Sequence, residues 1–356
     1  MRASERLPTA WDPYNLSASP YFHTPLEATD SSPHPLSLFV GRDRELTTLL
    51  DNIASAGRAS SRQSIAGVPG VGKTTLVKEL KSRVHQAGYL TTDAVVPILA
   101  GDDLPLLFGR ILSALYDTIV ANRPHAAGNK ALEAAETLVR SARIPTGGGG
   151  VSFLGIGVSA TKGITMLGPK DVRLEGPRVA YDLAQFVLGT DARGVLLHLN
   201  NLENLTEKDA AQAADLLRDL RDMLLTHHGL HFILTGTPDA VTTAIDTHPQ
   251  VRSHFEVLQL DPLTVAEVHE LLRRRYQHLR LDPKLPTVQP VADYVVAELH
   301  KLYRGDLRGL LQALGARREA PPRTQCSKRL SEVCRRNVGA GGPSGTLRRR
   351  THTQAG

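Results

Sequence analysis

Residues 67–75 read G-V-P-G-V-G-K-T-T and fit the pattern G-x-x-x-x-G-K-[ST] at every fixed position. Glycines let a backbone curl so that successive N–H groups point inward at phosphate oxygens. Lys73 supplies a mobile cation for the β- and γ-phosphates, and Thr74 offers a hydroxyl to Mg²⁺. The stretch therefore predicts a phosphate-binding loop. Its residues are Gly67, Val68, Pro69, Gly70, Val71, Gly72, Lys73, Thr74 and Thr75.

The residues around this loop have the expected strand–loop–helix order. A short strand-like run, residues 63–66, precedes it, and residues 75–80 have a helical pattern that places a helix N-terminus at the phosphates. Further apolar strands are predicted at residues 89–98, 194–199, 230–237 and 255–260. Helices are predicted at 43–53, 103–122, 130–143, 176–188 and 206–225. This alternation predicts an α/β fold with a parallel sheet flanked by helices.

The pattern changes to helices alone after residue 263, at about 264–276, 291–303 and 305–317. We therefore divide the chain into four parts. Residues 1–37 form an extended N-terminal arm with aromatic residues pinned onto the body, and 38–262 form the nucleotide-binding α/β domain. Residues 263–318 form a small all-α lid, and 319–356 form a basic tail whose composition predicts disorder. A Gly-rich insertion at 146–160 is predicted to be a surface hairpin or loop, with contact to a membrane or a partner as the alternatives.

Composition indicates an ordinary globular protein, with 41% hydrophobic and 22% charged residues. The net charge of +6 comes from the tail, because residues 321–356 carry eight Lys or Arg and one acid, which leaves the remainder near −1. The only cysteines are Cys326 and Cys334, a usage that argues against a disulfide framework or a zinc site. We also expect no secretory signal and no apolar run long enough to cross a bilayer, hence a cytoplasmic protein.

The order of motifs resembles that of the AAA+ superfamily of P-loop ATPases, nearest to its origin-recognition-type and related bacterial members. The resemblance covers about residues 38–317. Residues 39–46, F-V-G-R-D-R-E-L, look like the F-V-G-R-x-x-E-L motif that opens the domain, and residues 305–308, G-D-L-R, look like the G-D-x-R of the lid. The resemblance implies a P-loop NTPase sheet of AAA+ type with a helical lid, binding ATP and Mg²⁺.

The resemblance also implies roles for particular residues. Val40, Gly41 and Arg42 would lie against adenine. Thr235 would be the polar sensor on a strand between the P-loop strand and the metal-site strand, and Arg308 would reach the γ-phosphate.

One motif departs from the family. The metal-site strand of the family ends in Asp-Glu, where the Asp holds the metal-bound water and the Glu positions the attacking water. Here those positions are Asn200 and Asn201. An amide can still bond a metal-bound water, so Thr74 and Asn200 are the expected metal-site residues, but Asn201 cannot act as a base. Glu203 either takes the missing role or caps the loop. ATP binding is therefore the expectation, and ATP hydrolysis stays open.

Two further features bear on partners. Arg252 lies where relatives carry an arginine that acts on a neighbouring subunit, so it is a candidate catalytic residue and homo-oligomers are an option; a solvated surface arginine is the alternative. The pattern of a winged helix for DNA does not follow the lid, so nucleic-acid binding lacks its usual module. A protein partner is expected but not identified by the sequence.

Three functions remain open from the sequence. The first is a nucleotide-gated switch or weak ATPase, which would make the protein a hydrolase. The second is a non-hydrolysing, nucleotide-stabilised scaffold or signalling adaptor. The third is a DNA-associated initiator or transposition helper that uses the basic tail. Phosphate release separates the first two, and salt-dependent DNA binding would indicate the third.

Overall fold

The structure, a computed structural model, describes residues 7–29, 31–126, 128–141, 169–202, 205 and 207–316. Its centre is a five-stranded sheet in which every strand pairs in parallel with its neighbours. In chain order the strands are β1 (Ser61–Ala66), β2 (Val96–Pro97), β3 (Val195–Asn200), β4 (Leu230–Gly236) and β5 (Glu256–Gln259). Their order across the sheet is β2-β3-β4-β1-β5.

Helices cover the sheet and continue beyond it. Those of the α/β part are α1 (Asp43–Ala56), α2 (Lys73–Gln86), α3 (Leu104–Asn122), α4 (Lys130–Ser141), α5 (Pro169–Leu188), α6 (Glu207–Leu220), α7 (Pro238–Asp246) and α8 (Pro249–Arg252). The last three are α9 (Val265–His278), α10 (Asp293–Tyr303) and α11 (Leu307–Ala316), which we call the helical unit. This α/β sheet with flanking helices is the fold class that the sequence predicts.

The sheet order decides where the functional loops lie. Strand β4 lies between β1 and β3, so Thr235 is on the strand between the P-loop strand and the strand that ends at Asn200, as predicted. Because the strands are parallel, their carboxyl ends meet at one edge, which is where ligands bind in open α/β sheets. The P-loop follows β1 at this edge.

Helix α3 explains an apparent membrane signal. The helix has 19 residues and is long and apolar enough, by length and composition alone, to cross a bilayer. Our expectation that no apolar run is long enough to do so is therefore wrong. However, 67% of its apolar window is buried inside the protein. Leu107, Ile111 and Leu115 are fully buried in the main core, with residues of α5, β3 and β4. Burial in the core accounts for the apolar composition of α3.

The N-terminal arm packs on the helical unit. Tyr14, Leu16 and Tyr21 are buried in one cluster with side chains of α9, α10 and α11, so the aromatic contact expected from the sequence is present. Asn15 fixes the register: its Nδ2 donates to the carbonyls of Asp282 at 3.1 Å and Leu285 at 2.9 Å. The arm is not uniformly extended, because it forms 3-10 turns at Asp12–Tyr14 and Leu36–Leu38.

Several predicted elements have other bounds. The strand expected at residues 89–98 is reduced to Val96–Pro97. In the segment before it, the carbonyls of Thr92 and Ala94 accept from Lys81 Nζ, at 2.7 Å and 2.8 Å, so they bond a side chain of α2. Helix α5 begins at Pro169 rather than 176 and contains Pro177.

Other differences concern helices. The helix predicted at 206–225 ends as α6 at Leu220 and continues as a π-helical turn, Arg221–Leu225. Helices α7 and α8 were not predicted. Helix α9 begins with a capping box: Thr264 Oγ1 accepts from Glu267 N at 3.2 Å, and the Glu267 carboxylate accepts from Thr264 N at 2.7 Å. The insertion 146–160 and the tail 319–356 lie outside the described residues.

We expect Leu16→Ala to detach the arm or destabilise the fold. Leu16 is fully buried, and removing a buried leucine side chain typically costs about 2–5 kcal/mol of unfolding free energy. Trp11, the single tryptophan, lies in the arm with its ring centroid 5.9 Å from that of Tyr21, so its fluorescence reports arm docking during urea unfolding.

Leu7→Ala is the matched control, since Leu7 is 83% exposed and should have little effect. Equal unfolding midpoints for the two variants would show that the arm does not pack as described.

Candidate functional site

A cleft opens at the carboxyl edge of the sheet, between the α/β part, the helical unit and the arm. Arm residues form one wall, and P-loop and strand-end residues form the floor. The described lining is His23, Thr24, Pro25, Leu26, Leu38, Phe39, Val40, Arg42, Pro69, Gly70, Val71, Gly72, Lys73, Thr74, Thr75, Asn200, Thr235, Leu263, Leu271, Arg275, Leu307, Arg308 and Leu311. Most of the sequence-predicted site residues therefore meet in one place.

The P-loop connects β1 to α2, which begins at Lys73. Lys73 is buried, and its Nζ donates to the carbonyl oxygens of Gly67 at 2.7 Å and Val68 at 3.2 Å. These bonds fold the ammonium back into the loop. Thr74 is exposed in the first turn of α2 and faces the cleft, where the N-terminal end of the helix favours negative charge.

The helical unit approaches the P-loop closely. A Cβ on Gly70, whose φ is +79°, would overlap the carboxylate of Asp306 and would lie 3.5 Å from Cβ of Arg308. Only glycine allows this approach. Arg308, in the first turn of α11, thus lines the cleft beside the P-loop, and within the described part of the chain it has no hydrogen-bond or ion-pair partner.

Residues 39–46, the motif that opens the α/β part, contribute to the cleft in three ways. Val40 lines the cleft. Gly41 does not line it; its φ is +73°, and a Cβ there would lie 2.9 Å from Cδ2 of Leu263, so it permits close packing of the helical unit. The buried Arg42 donates from Nη2 to the carbonyl of Val71 at 3.2 Å and pairs with Glu45 at 3.0 Å, which ties the motif to the P-loop.

The arm wall is held by a buried arginine that sequence analysis missed. Arg275 Nη1 donates to the carbonyls of Pro20 at 3.0 Å and Phe22 at 2.6 Å, and its guanidinium carbon lies 3.8 Å from the Phe22 ring centroid. Burial lowers the pKa of Arg275 to about 9, so the side chain keeps its charge at neutral pH. Arm carbonyls and an aromatic face thus stabilise a cation at the edge of the cleft.

Thr235 belongs to a polar chain beneath the P-loop. Its hydroxyl donates to Oδ1 of Asn200 at 2.7 Å, and Nε2 of His198 lies 2.9 Å from the same hydroxyl oxygen. Burial holds the pKa of His198 well below its usual value, so the imidazole is neutral. Sequence analysis did not single out His198.

The other candidate catalytic residues lie apart from the cleft or outside the description. Asn201 has a φ of +85°, and its Nδ2 lies 3.4 Å from the carbonyl of Ile98, next to β2. Arg252 is the last residue of α8, just before β5 begins. It therefore lies at the amino-terminal end of the strands, whereas the P-loop lies at their carboxyl end. The Arg252 side chain is exposed and lies 3.5 Å from Asp246. Glu203 lies outside the described residues.

The charged side chains among the described lining residues of the cleft are all basic. Arg42, Lys73, Arg275 and Arg308 line it, and no Asp or Glu is among its described lining residues. This arrangement favours a polyanion. It does not fit a magnesium site built by the protein, because Mg²⁺ is usually held through carboxylates and the described lining offers only neutral oxygens, such as the Thr74 hydroxyl.

Signals for the missed residues were present in the sequence. Arg275 falls on the apolar stripe of α9 with Val268, Leu271 and Leu272, so an arginine there must find partners in the interior. His198 interrupts a strand that is otherwise apolar except at its end. The arm wall had no such signal, because its partners lie about 250 residues away in the chain.

Comparison with known proteins gives a family and distant structural likenesses. The sequence profile of the AAA ATPase domain matches residues 38–232. The Aeropyrum pernix ORC2 protein is 16% identical to this chain, with a TM-score of 0.46; the match covers 83% of this chain and 64% of that protein. The Pyrobaculum aerophilum Cdc6p structure is 15% identical, with a TM-score of 0.43; the match covers 83% of this chain and 64% of that protein. The structure of Drosophila ORC bound to DNA is 12% identical, with a TM-score of 0.42; the match covers 76% of this chain and 38% of that chain.

This chain therefore spans 64% of the length of the two archaeal structures. No curated protein matches it at a significant level. The profile match covers more than half of the chain and includes the P-loop that lines the cleft. The chain belongs to the AAA ATPase domain family and is an ATP-binding AAA+ protein.

Proposed function

We propose that this protein is a nucleotide-gated switch that binds ATP between the P-loop, the arm and the helical unit. One observation carries the proposal: a single cleft brings together Lys73 of the P-loop, Arg308 of the helical unit and residues 23–26 of the arm. A ligand that fills this cleft contacts all three parts, so its identity can affect how they are arranged.

The phosphates would lie at the P-loop. Lys73 would exchange its bonds to the Gly67 and Val68 carbonyls for phosphate oxygens, and Arg308 would reach the terminal phosphate from the helical unit, beside the P-loop. The base would lie against the apolar wall formed by residues such as Pro25, Val40 and Leu311. ATP and ADP would then differ chiefly in their contact with Arg308.

The helical unit would act as a lid, and the arm would report its position. The arm is bonded to the helical unit through Asn15 and Arg275 and also lines the cleft through His23, Thr24, Pro25 and Leu26. A shift of the helical unit towards the γ-phosphate would therefore move the arm. The arm surface is where we expect a protein partner to detect the nucleotide state.

Slow hydrolysis is the second part of the proposal. General-base assistance typically contributes about 10²–10⁴-fold to a rate, and no described lining residue carries a carboxylate. The same observation favours the alternative of a non-hydrolysing, nucleotide-stabilised scaffold. The two functions differ in whether exchange of ATP for ADP changes the conformation.

We expect Lys73→Ala to abolish tight ATP binding, because it removes the P-loop cation. The measurement is equilibrium titration with a fluorescent ATP analogue and competition by ATP. Lys78→Ala is the matched control on the same helix, since Lys78 does not line the cleft. Unchanged affinity in Lys73→Ala would place the nucleotide elsewhere.

We expect Arg308→Ala to weaken ATP binding more than ADP binding. A charge-assisted hydrogen bond to the γ-phosphate is worth about 1.5–3 kcal/mol, or roughly 10–100-fold in affinity. Titration with both nucleotides, followed through Trp11 emission, measures the ratio. Arg273→Ala, an exposed arginine on α9 outside the cleft, should leave the ratio unchanged. Equal losses of ATP and ADP affinity in Arg308→Ala would show that Arg308 does not contact the γ-phosphate.

We expect slow phosphate release from the wild type, because no described lining residue of the cleft carries a carboxylate. Asn201 is not among those lining residues and lies beside the Ile98 carbonyl, so Asn201→Glu should leave the rate unchanged. Asn201→Gln matches Glu in length and meets the same φ of +85°, so it controls for the change in side-chain size. Glu203→Gln tests the acid outside the described residues. Fast wild-type turnover that persists in Glu203→Gln would contradict our proposal that the site lacks a general base. Turnover that is lost in Glu203→Gln would identify Glu203 as that base.

A further inference from the structure

A row of hydrogen-bonded side chains beside the P-loop, His198, Thr235 and Asn200, holds the oxygen of the Asn200 amide. His198 and Thr235 are buried on the adjacent strands β3 and β4. The row of hydrogen bonds ends at Asn200, which lines the cleft with Lys73 and Thr74. The Thr235 hydroxyl has one hydrogen and donates it to Oδ1 of Asn200 at 2.7 Å. It must then accept from Nε2 of His198, 2.9 Å away.

This direction matters because the two ends of an amide do opposite things. The oxygen Oδ1 accepts hydrogen bonds and can bind a metal-bound water, whereas the nitrogen Nδ2 only donates hydrogen bonds, for example to a phosphate oxygen. Oδ1 already accepts one hydrogen bond, from Thr235, whereas Nδ2 has no hydrogen-bond partner among the described residues and keeps both of its hydrogens for a ligand in the cleft. A carboxylate at residue 200 would attract a cation and repel phosphate; this amide does neither.

We propose that Asn200 binds a phosphate oxygen of the nucleotide directly, so that the protein binds ATP with little dependence on Mg²⁺. The inference rests on the proposed function, because it concerns the same cleft. The missing metal ligand is then replaced by one more hydrogen-bond donor. Lys73 and Arg308 would neutralise phosphates that a divalent cation otherwise neutralises, and Asn200 would add an uncharged hydrogen-bond donor.

The chemistry of the rest of the cleft agrees with this assignment. The described lining has four Arg or Lys side chains and no acid. None of these residues therefore repels a phosphate, and no metal cation is needed to offset such repulsion. Within the described residues, no group of three His, Cys, Asp or Glu side chains gathers into a metal site anywhere in the protein. Thr74 alone could still contact an ion carried by the nucleotide.

The test is the ATP dissociation constant in excess Mg²⁺ and in excess EDTA, for wild type, Asn200→Asp and Asn200→Ala. We expect the wild-type constant to change by less than about threefold between the two conditions. Asn200→Asp, nearly isosteric, should lose at least about tenfold in EDTA and recover in Mg²⁺. Asn200→Ala should weaken binding by about tenfold in both conditions, as expected for one lost donor to a charged group.

A wild-type loss of tenfold or more in EDTA would overturn the inference, and so would an Asn200→Asp variant whose binding is indifferent to Mg²⁺. Absence of wild-type ATP binding in both conditions is a different failure, since it would contradict the proposed function itself. Thr235→Ser keeps the hydroxyl and should retain the wild-type pattern. Loss of metal independence in Thr235→Val but not in Thr235→Ser would show that the hydroxyl orients Asn200.

Discussion

The cleft depends on how closely the helical unit can approach the P-loop, and two glycines set that distance. A side chain at residue 70 would overlap Asp306, and a side chain at residue 41 would press on Leu263 and Glu267. Both glycines also have positive φ, at +79° and +73°, so their conformation and their contacts require the same residue type. Without this approach, Arg308 would not share a cleft with Lys73.

Charge then decides what the cleft can do. Cations from the opening motif, the P-loop and the helical unit converge on it, and its described lining carries no acid. This combination favours binding of phosphates, and among the described lining residues no carboxylate is present to act as the base that activates water. On our proposal the protein recognises the nucleotide and hydrolyses it slowly, with Asn200 and Asn201 at the positions where the family resemblance implies acids.

Local patterns predicted the features that depend on short stretches of sequence. The P-loop, the three helices that follow residue 263 and the strand carrying Thr235 were all found, because each depends on residues close in the chain. The arm wall, Arg275 and His198 were missed, because their roles come from contacts between distant segments. Arg275, for instance, bonds the carbonyls of Pro20 and Phe22, which only the folded chain brings to α9. Lys81 likewise bonds carbonyls of the segment before Val96, where a strand was predicted, and periodicity cannot show such side-chain contacts.

The most direct test of the account is photolabelling of the full chain with 8-azido-ATP, followed by mapping of the labelled peptides by mass spectrometry. The account predicts label on peptides from the arm, residues 20–40, and from α9 or α11, with protection by unlabelled ATP. Label that ATP does not displace, or that maps only to surfaces away from the P-loop, would contradict a nucleotide held between the arm, the helical unit and the α/β sheet.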